Sequence, residues 1–111
     1  MDRLKRHAEI AERVFQKYAE HSPSHDQLTT SLIVSRDNRE FLLVTLGWGS
    51  RGRVHDVFGH VRLQDGKVWI EQDGTEKSFA VEFVEAGIPQ DEIVLAFYRP
   101  ERRELSGFAV A

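Results

Sequence analysis

The 111 residues include 41% hydrophobic and 30% charged side chains, which suits one domain with one hydrophobic core and leaves little room for a second. With no cysteine, a disulfide scaffold, a thiol nucleophile, thiolate zinc and a Cys-ligated iron–sulfur centre are all excluded. Fifteen Lys plus Arg against eighteen Asp plus Glu leave a net charge of −3, which excludes a general nucleic-acid coat but allows a local basic patch.

The opening segment predicts a helix. Leu4, Ala8, Ala11, Phe15 and Tyr18 recur at spacings of four and three, and Ile10 and Val14 widen the stripe. His7 falls towards this apolar side. Lys5, Glu9, Glu12, Arg13 and Lys17 occupy the opposite face, whose mixed signs suit a cover for a sheet better than a membrane-surface helix. Pro23 is expected to end the helix, with Ser22 to Asp26 as a connector. No apolar signal region follows the charged start, and the longest apolar run, Phe41 to Trp48, is far short of the ~20 residues a membrane span needs. The expected location is the cytoplasm.

From Gln27 the period changes to two. Leu28, Leu32 and Val34 share one strand face, with Thr29, Ser31 and Ser35 on the other. Arg36-Asp37-Asn38-Arg39 predicts a tight turn. The strand after it is apolar on both faces, as for a central strand with something packed on each side. Gly47, Gly49 and Gly52 predict a bend or bulge that contains Trp48. Arg53 to Leu63 is the third strand, Asp65-Gly66 a hairpin turn, and Lys67 to Gln72 the fourth strand.

Asp73 and Glu76 have the spacing of a capping box, with Thr75 as a rival N-cap, so a second helix is expected from this point. Phe79, Ala80, Phe83 and Val84 form its buried stripe, and Gly87 with Pro89 its stop. Ile93 to Phe97 predicts a last short strand. Residues 1–111 thus read as one α+β domain: an N-terminal helix, a four-stranded antiparallel β-meander over residues 27–72, a second helix, a short C-terminal strand and a tail.

No catalytic constellation emerges from the residues. His21 and His25 are separated by Pro23, and the odd spacing of His55 and His60 points them to opposite faces of a regular strand, so no metal site is expected. Ser50, Ser78 and Ser106 lie in no nucleophile-elbow context. Gly47-x-Gly49-x-x-Gly52 leads into a strand, not into the helix that would hold a phosphate. Glu71, Asp73 and Glu76 cluster in sequence and could form a carboxylate site, but a structural role at the strand end and helix start outweighs an acid–base one. Neither a catalytic residue nor a cofactor is expected. Two segments combine arginine with aromatic residues: Trp48, Arg51 and Arg53 at the glycine bend, and Tyr98, Arg99, Arg102 and Arg103 in the tail. Such pairs suit a protein interface or phosphate contact. Glu101 and Glu104 dilute the positive field of the tail and favour protein.

The second half of the chain resembles one family, XisI. The resemblance is carried by Asp65-Gly66-Lys67-Val68-Trp69-Ile70, Gln72-Asp73-Gly74-Thr75-Glu76, Glu85-Ala86-Gly87-Ile88-Pro89, and Asp91 through Phe97. Pro100, Arg103 and the terminal Phe108-Ala109-Val110-Ala111 complete it. Ala96 departs from the family's usual Gly, and Tyr98-Arg99 from a common histidine before Pro100. The resemblance implies a role in controlled excision of a DNA element, as in the fdxN element during heterocyst differentiation, alongside a XisH-like protein of nuclease fold. The recombination chemistry belongs to a separate recombinase.

The resulting expectation is a non-enzymatic, antitoxin-like regulator of a XisH-like partner. A direct DNA-binding accessory factor is the alternative, and a small metal-dependent hydrolase or nuclease a distant third. A homo-oligomer stays open. Trp48, Arg51, Arg53, Tyr98, Arg99, Arg102, Arg103 and Phe108 are the candidate partner-binding residues. Leu105, Phe108 and Val110 imply a tail ordered against the domain or against a second copy.

Overall fold

The computed structural model describes residues 3–20 and 27–111. Helix α1, Arg3–Glu20, buries His7, Ile10, Ala11, Val14 and Phe15, the stripe the periodicity predicts. The connector around Pro23, with His21 and His25, lies outside the described residues.

Strands β1 (Gln27–Val34), β2 (Glu40–Gly49), β3 (Gly52–Gln64) and β4 (Lys67–Asp73) form the expected antiparallel meander. Its turns obey local chemistry. Asn38 takes a positive φ of 59°, while the Asp37 carboxylate accepts hydrogen bonds from Ser35 Oγ and the Arg39 amide. Asp65 and Gly66 have φ of 55° and 74°, the paired left-handed conformations of a two-residue hairpin. Gly66→Val should therefore cost on the order of 1 kcal/mol or more, because a β-branched residue resists that region. A melting temperature equal to wild type would show that the turn tolerates side chains.

The glycine segment is a hairpin turn, not a bend or bulge. Gly49 pairs with Gly52 across Ser50-Arg51, and Trp48 stays in β2 opposite Arg53. The bulge lies further along β3, where Val44 pairs with Val57 and Leu43 with Gly59, leaving Phe58 as the extra residue. This reverses the expectation for the histidines. His55 pairs with Leu46 and His60 with Leu42, so the extra residue brings both onto the same face of the sheet. They sit four β2 positions apart, about 13 Å at ~3.3 Å per residue, too far to share a metal ion.

Helix α2 (Phe79–Ala86) starts later than the capping-box spacing suggests. Asp73 is nonetheless its anchor: one carboxylate oxygen accepts from the Thr75 amide at 2.9 Å and the other from the Phe79 amide at 2.8 Å. Glu76 takes no part and stays exposed. Gly87 ends the helix in the left-handed conformation, φ 116°, as predicted.

A short 3₁₀ turn, Gln90–Glu92, leads into β5 (Ile93–Leu95), which ends before Phe97. This strand adds a fifth member to the sheet and pairs parallel with β4, in the order β1-β2-β3-β4-β5. The intervening helix makes that possible, since parallel neighbours need a long crossover. The α+β class stands, with the sheet one strand larger than the meander. A last turn of helix, α3, covers Pro100–Arg103.

Both long helices pack on one face of the sheet. Phe41, Leu43, Val61, Leu63, Val68 and Ile70 point to that face and are buried under Phe15, Phe79 and Phe83. Strand β2 is apolar on its other face as well, through Leu42, Val44 and Leu46, but among the described residues no helix covers that side of β1–β3. No helix among the described residues is long and apolar enough to cross a membrane.

Candidate partner-binding surface

The tail is ordered against the domain, along the free side of β5. The Ala109 amide donates to the Ile93 carbonyl at 2.9 Å, and Ala109 pairs in parallel with Val94. Phe108 packs partly buried against the core, and Gln90 Nε2 donates to the Gly107 carbonyl at 2.6 Å. Val110 is half exposed and Leu105 is 88% exposed, so the apolar tail residues do not all turn inward.

Arg103 holds this arrangement together. Its Nε donates to the Tyr98 carbonyl at 3.1 Å, Nη2 to the Ala96 carbonyl at 3.2 Å and Nη1 to the Val110 carbonyl at 3.3 Å. The guanidinium carbon also lies 5.6 Å from the centre of the Trp69 ring, a cation–π distance. Three carbonyls from two sides of the tail thus converge on one planar donor fork, which lysine could not reproduce. Arg103 is a clamp, with its guanidinium engaged within the chain and only part of the side chain exposed.

What the clamp presents is a surface of different residues. Phe97 and Tyr98 are 47% and 42% exposed, with ring centroids 4.9 Å apart. Arg99, Arg102 and Leu105 are exposed beside them in sequence. Phe97 escaped the sequence reading because it looks like the last residue of a strand. A turn in which the Tyr98 amide donates to the Leu95 carbonyl ends the strand two residues earlier and turns the ring outward.

Trp48, Arg51 and Arg53 occupy the far tip of the β2–β3 hairpin. Arg53 lies over the Trp48 ring at 5.8 Å, and its Nη1 reaches the Gly47 carbonyl at 3.4 Å. Arg53 is nine residues from Arg62, which pairs with Trp69, so the tip is about 30 Å from the tail along β3. The structure does not join the two arginine–aromatic segments into one site.

The carboxylate cluster disperses. Glu71 accepts from Arg62 Nε at 3.1 Å, Asp73 anchors α2, and Glu76 stands apart. Among the described residues no group of three or more His, Asp or Glu side chains could hold a metal ion.

Two buried polar pairs escaped sequence reasoning. His7 is 2% exposed and bonds Glu92 at 2.9 Å, which ties α1 to the turn before β5. Glu82 is 7% exposed on α2 and accepts hydrogen bonds from the Tyr18 hydroxyl and from Lys17 Nζ. Burial, followed by the hydrogen bond to Glu82, pushes the Tyr18 phenol well above its usual range. A raised pKa means that the folded state holds this proton more tightly than the unfolded state. The contribution to stability is complete below pH ~10, the unfolded phenol value, and is lost as pH rises towards the folded one. Tyr18→Phe should melt below wild type at pH 8, by taking from the buried Glu82 one of its two donors, and the gap should narrow above about pH 10. A gap independent of pH would mean that the loss comes from packing and not from the hydrogen bond.

The family model described as XisI protein matches residues 1–110. The chain belongs to the XisI family. A crystal structure of fdxN element excision controlling factor XisI from Anabaena variabilis ATCC 29413 is 33% identical, with a TM-score of 0.84 over 99% of this chain and 100% of that one. A XisI-like protein from Anabaena variabilis ATCC 29413 is 27% identical, with a TM-score of 0.89 over 97% of this chain and 99% of that one. No curated protein matches. The five-stranded sheet with its helices on one face is the XisI fold, and several residues that carry the sequence resemblance, among them Trp69, Arg103 and Ala109, meet in the tail clamp.

Proposed function

We propose that this XisI-family chain is a non-enzymatic regulator that acts in excision of a DNA element by binding a XisH-like protein of nuclease fold, in the manner of an antitoxin. The observation that supports it is the clamped tail, which holds Phe97, Tyr98, Arg99, Arg102 and Leu105 in the open on a fixed backbone. Exposed aromatic rings beside arginine are the residue types that dominate protein interfaces, and ordering them beforehand lowers the cost of binding. The relative described as an excision controlling factor supports the setting. A DNA-binding role has less support: Glu101 and Glu104 lie among the tail arginines, and the chain as a whole is acidic.

The test is co-expression with a XisH-like protein from the same host. Tyr98→Ser combined with Arg102→Glu should lower capture of the partner at least tenfold and leave melting unchanged. It should also release any nuclease activity that the wild-type chain holds down. Undiminished capture by the double variant would overturn the assignment of this surface. Salt-sensitive binding of the isolated chain to duplex DNA, without capture of the partner, would replace the regulator reading with the DNA-binding one.

A further inference from the structure

Strand β2 has an uncovered apolar column along the face that points away from the helices. Leu42, Val44, Leu46 and Trp48 lie in line there. Ile33 flanks them on β1 and Val57 on β3, and Ile33, Trp48 and Val57 are 49%, 57% and 43% exposed. A contiguous patch of this kind on a sheet marks an interaction surface, not scattered surface apolarity. The charges around it are of both signs: Arg53, Arg62 and Lys67 share the face with Glu40 and Glu71. A nucleic acid would need a positive face, whereas a surface packing on its own copy must avoid a single sign.

We infer that this face packs against the same face of a second copy, about a two-fold axis that runs across the strands at Val44. The column is symmetric about that residue. An axis across the strands sets Val44 on Val44 of the second copy, Leu42 on its Leu46, and the Glu40 end on its Trp48 end. Charge selects this axis over one along the strands. The Glu40–His60 pair, joined at 2.6 Å, then meets Arg53 stacked on Trp48, and not a second Glu40. Two sheets packed in this way interdigitate side chains about 10 Å apart, as in a β-sandwich. The contact covers the outer side of β2, which its sequence marks as a strand buried on both faces. Three strands ~4.8 Å apart, over the length of the column, offer about 400 Å² per copy, about half of what a stable interface buries, so the dimer is weak, reversible and concentration-dependent. This inference does not depend on the tail surface, which lies at the opposite edge of the sheet.

Sedimentation of the full chain over a concentration series tests it. Wild type should shift from monomer to dimer, and Val44→Lys should stay monomeric with an unchanged melting temperature. Because the chain has no cysteine, Val44→Cys carries a single thiol, and a short bis-maleimide should join two copies through it, whereas exposed Glu12→Cys on α1 should not be joined. The orientation has its own test, which also holds should Val44→Lys fail to fold. Glu40→Arg and Arg53→Glu should each weaken the dimer at least tenfold, and the double exchange should recover most of the loss. Wild type that stays monomeric at its highest soluble concentration overturns the inference, as does a dimer indifferent to Val44→Lys. Absence of recovery in the double exchange overturns the axis. A monomer whose Val44→Lys variant loses a XisH-like partner gives the face to that partner instead of to a second copy.

Discussion

Phe79→Ala is expected to destabilise the domain by about 3–5 kcal/mol, the range for removing a fully buried aromatic ring. Phe79 has no exposed surface and lies at the centre of an aromatic cluster. Its ring centroid is 4.7 Å from that of Phe15, 5.4 Å from Tyr18 in an edge-on contact, and 6.3 Å and 6.4 Å from Phe83 and Phe58. The ring presses so closely on β3 that a Cβ on Gly59 would stand 2.7 Å from it, so Gly59 is the gap that admits Phe79 between helix and sheet. Relaxation into the vacated volume is limited, because four rings would have to shift together. Urea unfolding measures the loss. Val81→Ala, on the exposed side of the same helix, should change stability by about 0.5 kcal/mol or less. A loss below about 1 kcal/mol for Phe79→Ala would mean that the cluster collapses without a cavity.

Arg103→Ala should cost about 2 kcal/mol and loosen the tail, whereas Arg102→Ala should cost a few tenths at most. The two arginines are adjacent in sequence but differ in what they touch. Three carbonyls depend on Arg103, and hydrogen bonds to a charged donor contribute ~1.5–3 kcal/mol when buried, less at this half-buried site and not additively within one side chain. Arg102 is exposed, and its backbone amide completes the turn from Arg99 whatever its side chain. Hydrogen exchange at the Ala109 amide reads the difference directly, since that amide's bond to Ile93 depends on the tail staying in place. Faster exchange is expected in Arg103→Ala only, with part of the protection recovered in Arg103→Lys. Equal exchange in the two alanine variants would show that the bridge at Ala109 holds without the clamp. The pair also separates stability from binding: loss of a partner through Arg103→Ala reports the order of the tail, and loss through Arg102→Ala reports contact.

Elements whose cause is local are legible in the sequence. The stripe from Leu4 to Tyr18 makes α1, the alternation from Gln27 makes strands, Asp65-Gly66 makes the hairpin turn, and Gly87 stops α2. In each, period or backbone conformation depends on a few neighbouring residues. The Trp69, Gly87, Arg103 and Phe108 blocks carried the family resemblance on the same chain. Features that need two distant segments emerge only when the chain has folded. The phase of β3 changes at Phe58, because a bulge is defined by pairing with β2, and so His55 and His60 share a face. β5 finds its place beside β4 because α2 returns the chain, and three residues are too few to declare a partner. Arg103 reads as one more surface charge until the fold closes three carbonyls and the Trp69 ring around it. Glu82 reads as a solvent-facing helix residue until Tyr18 and Lys17 arrive from another helix. The physical reason is common to these cases: a hydrogen-bonding side chain shows its chemistry in sequence, but its partner is chosen by packing between segments many residues apart.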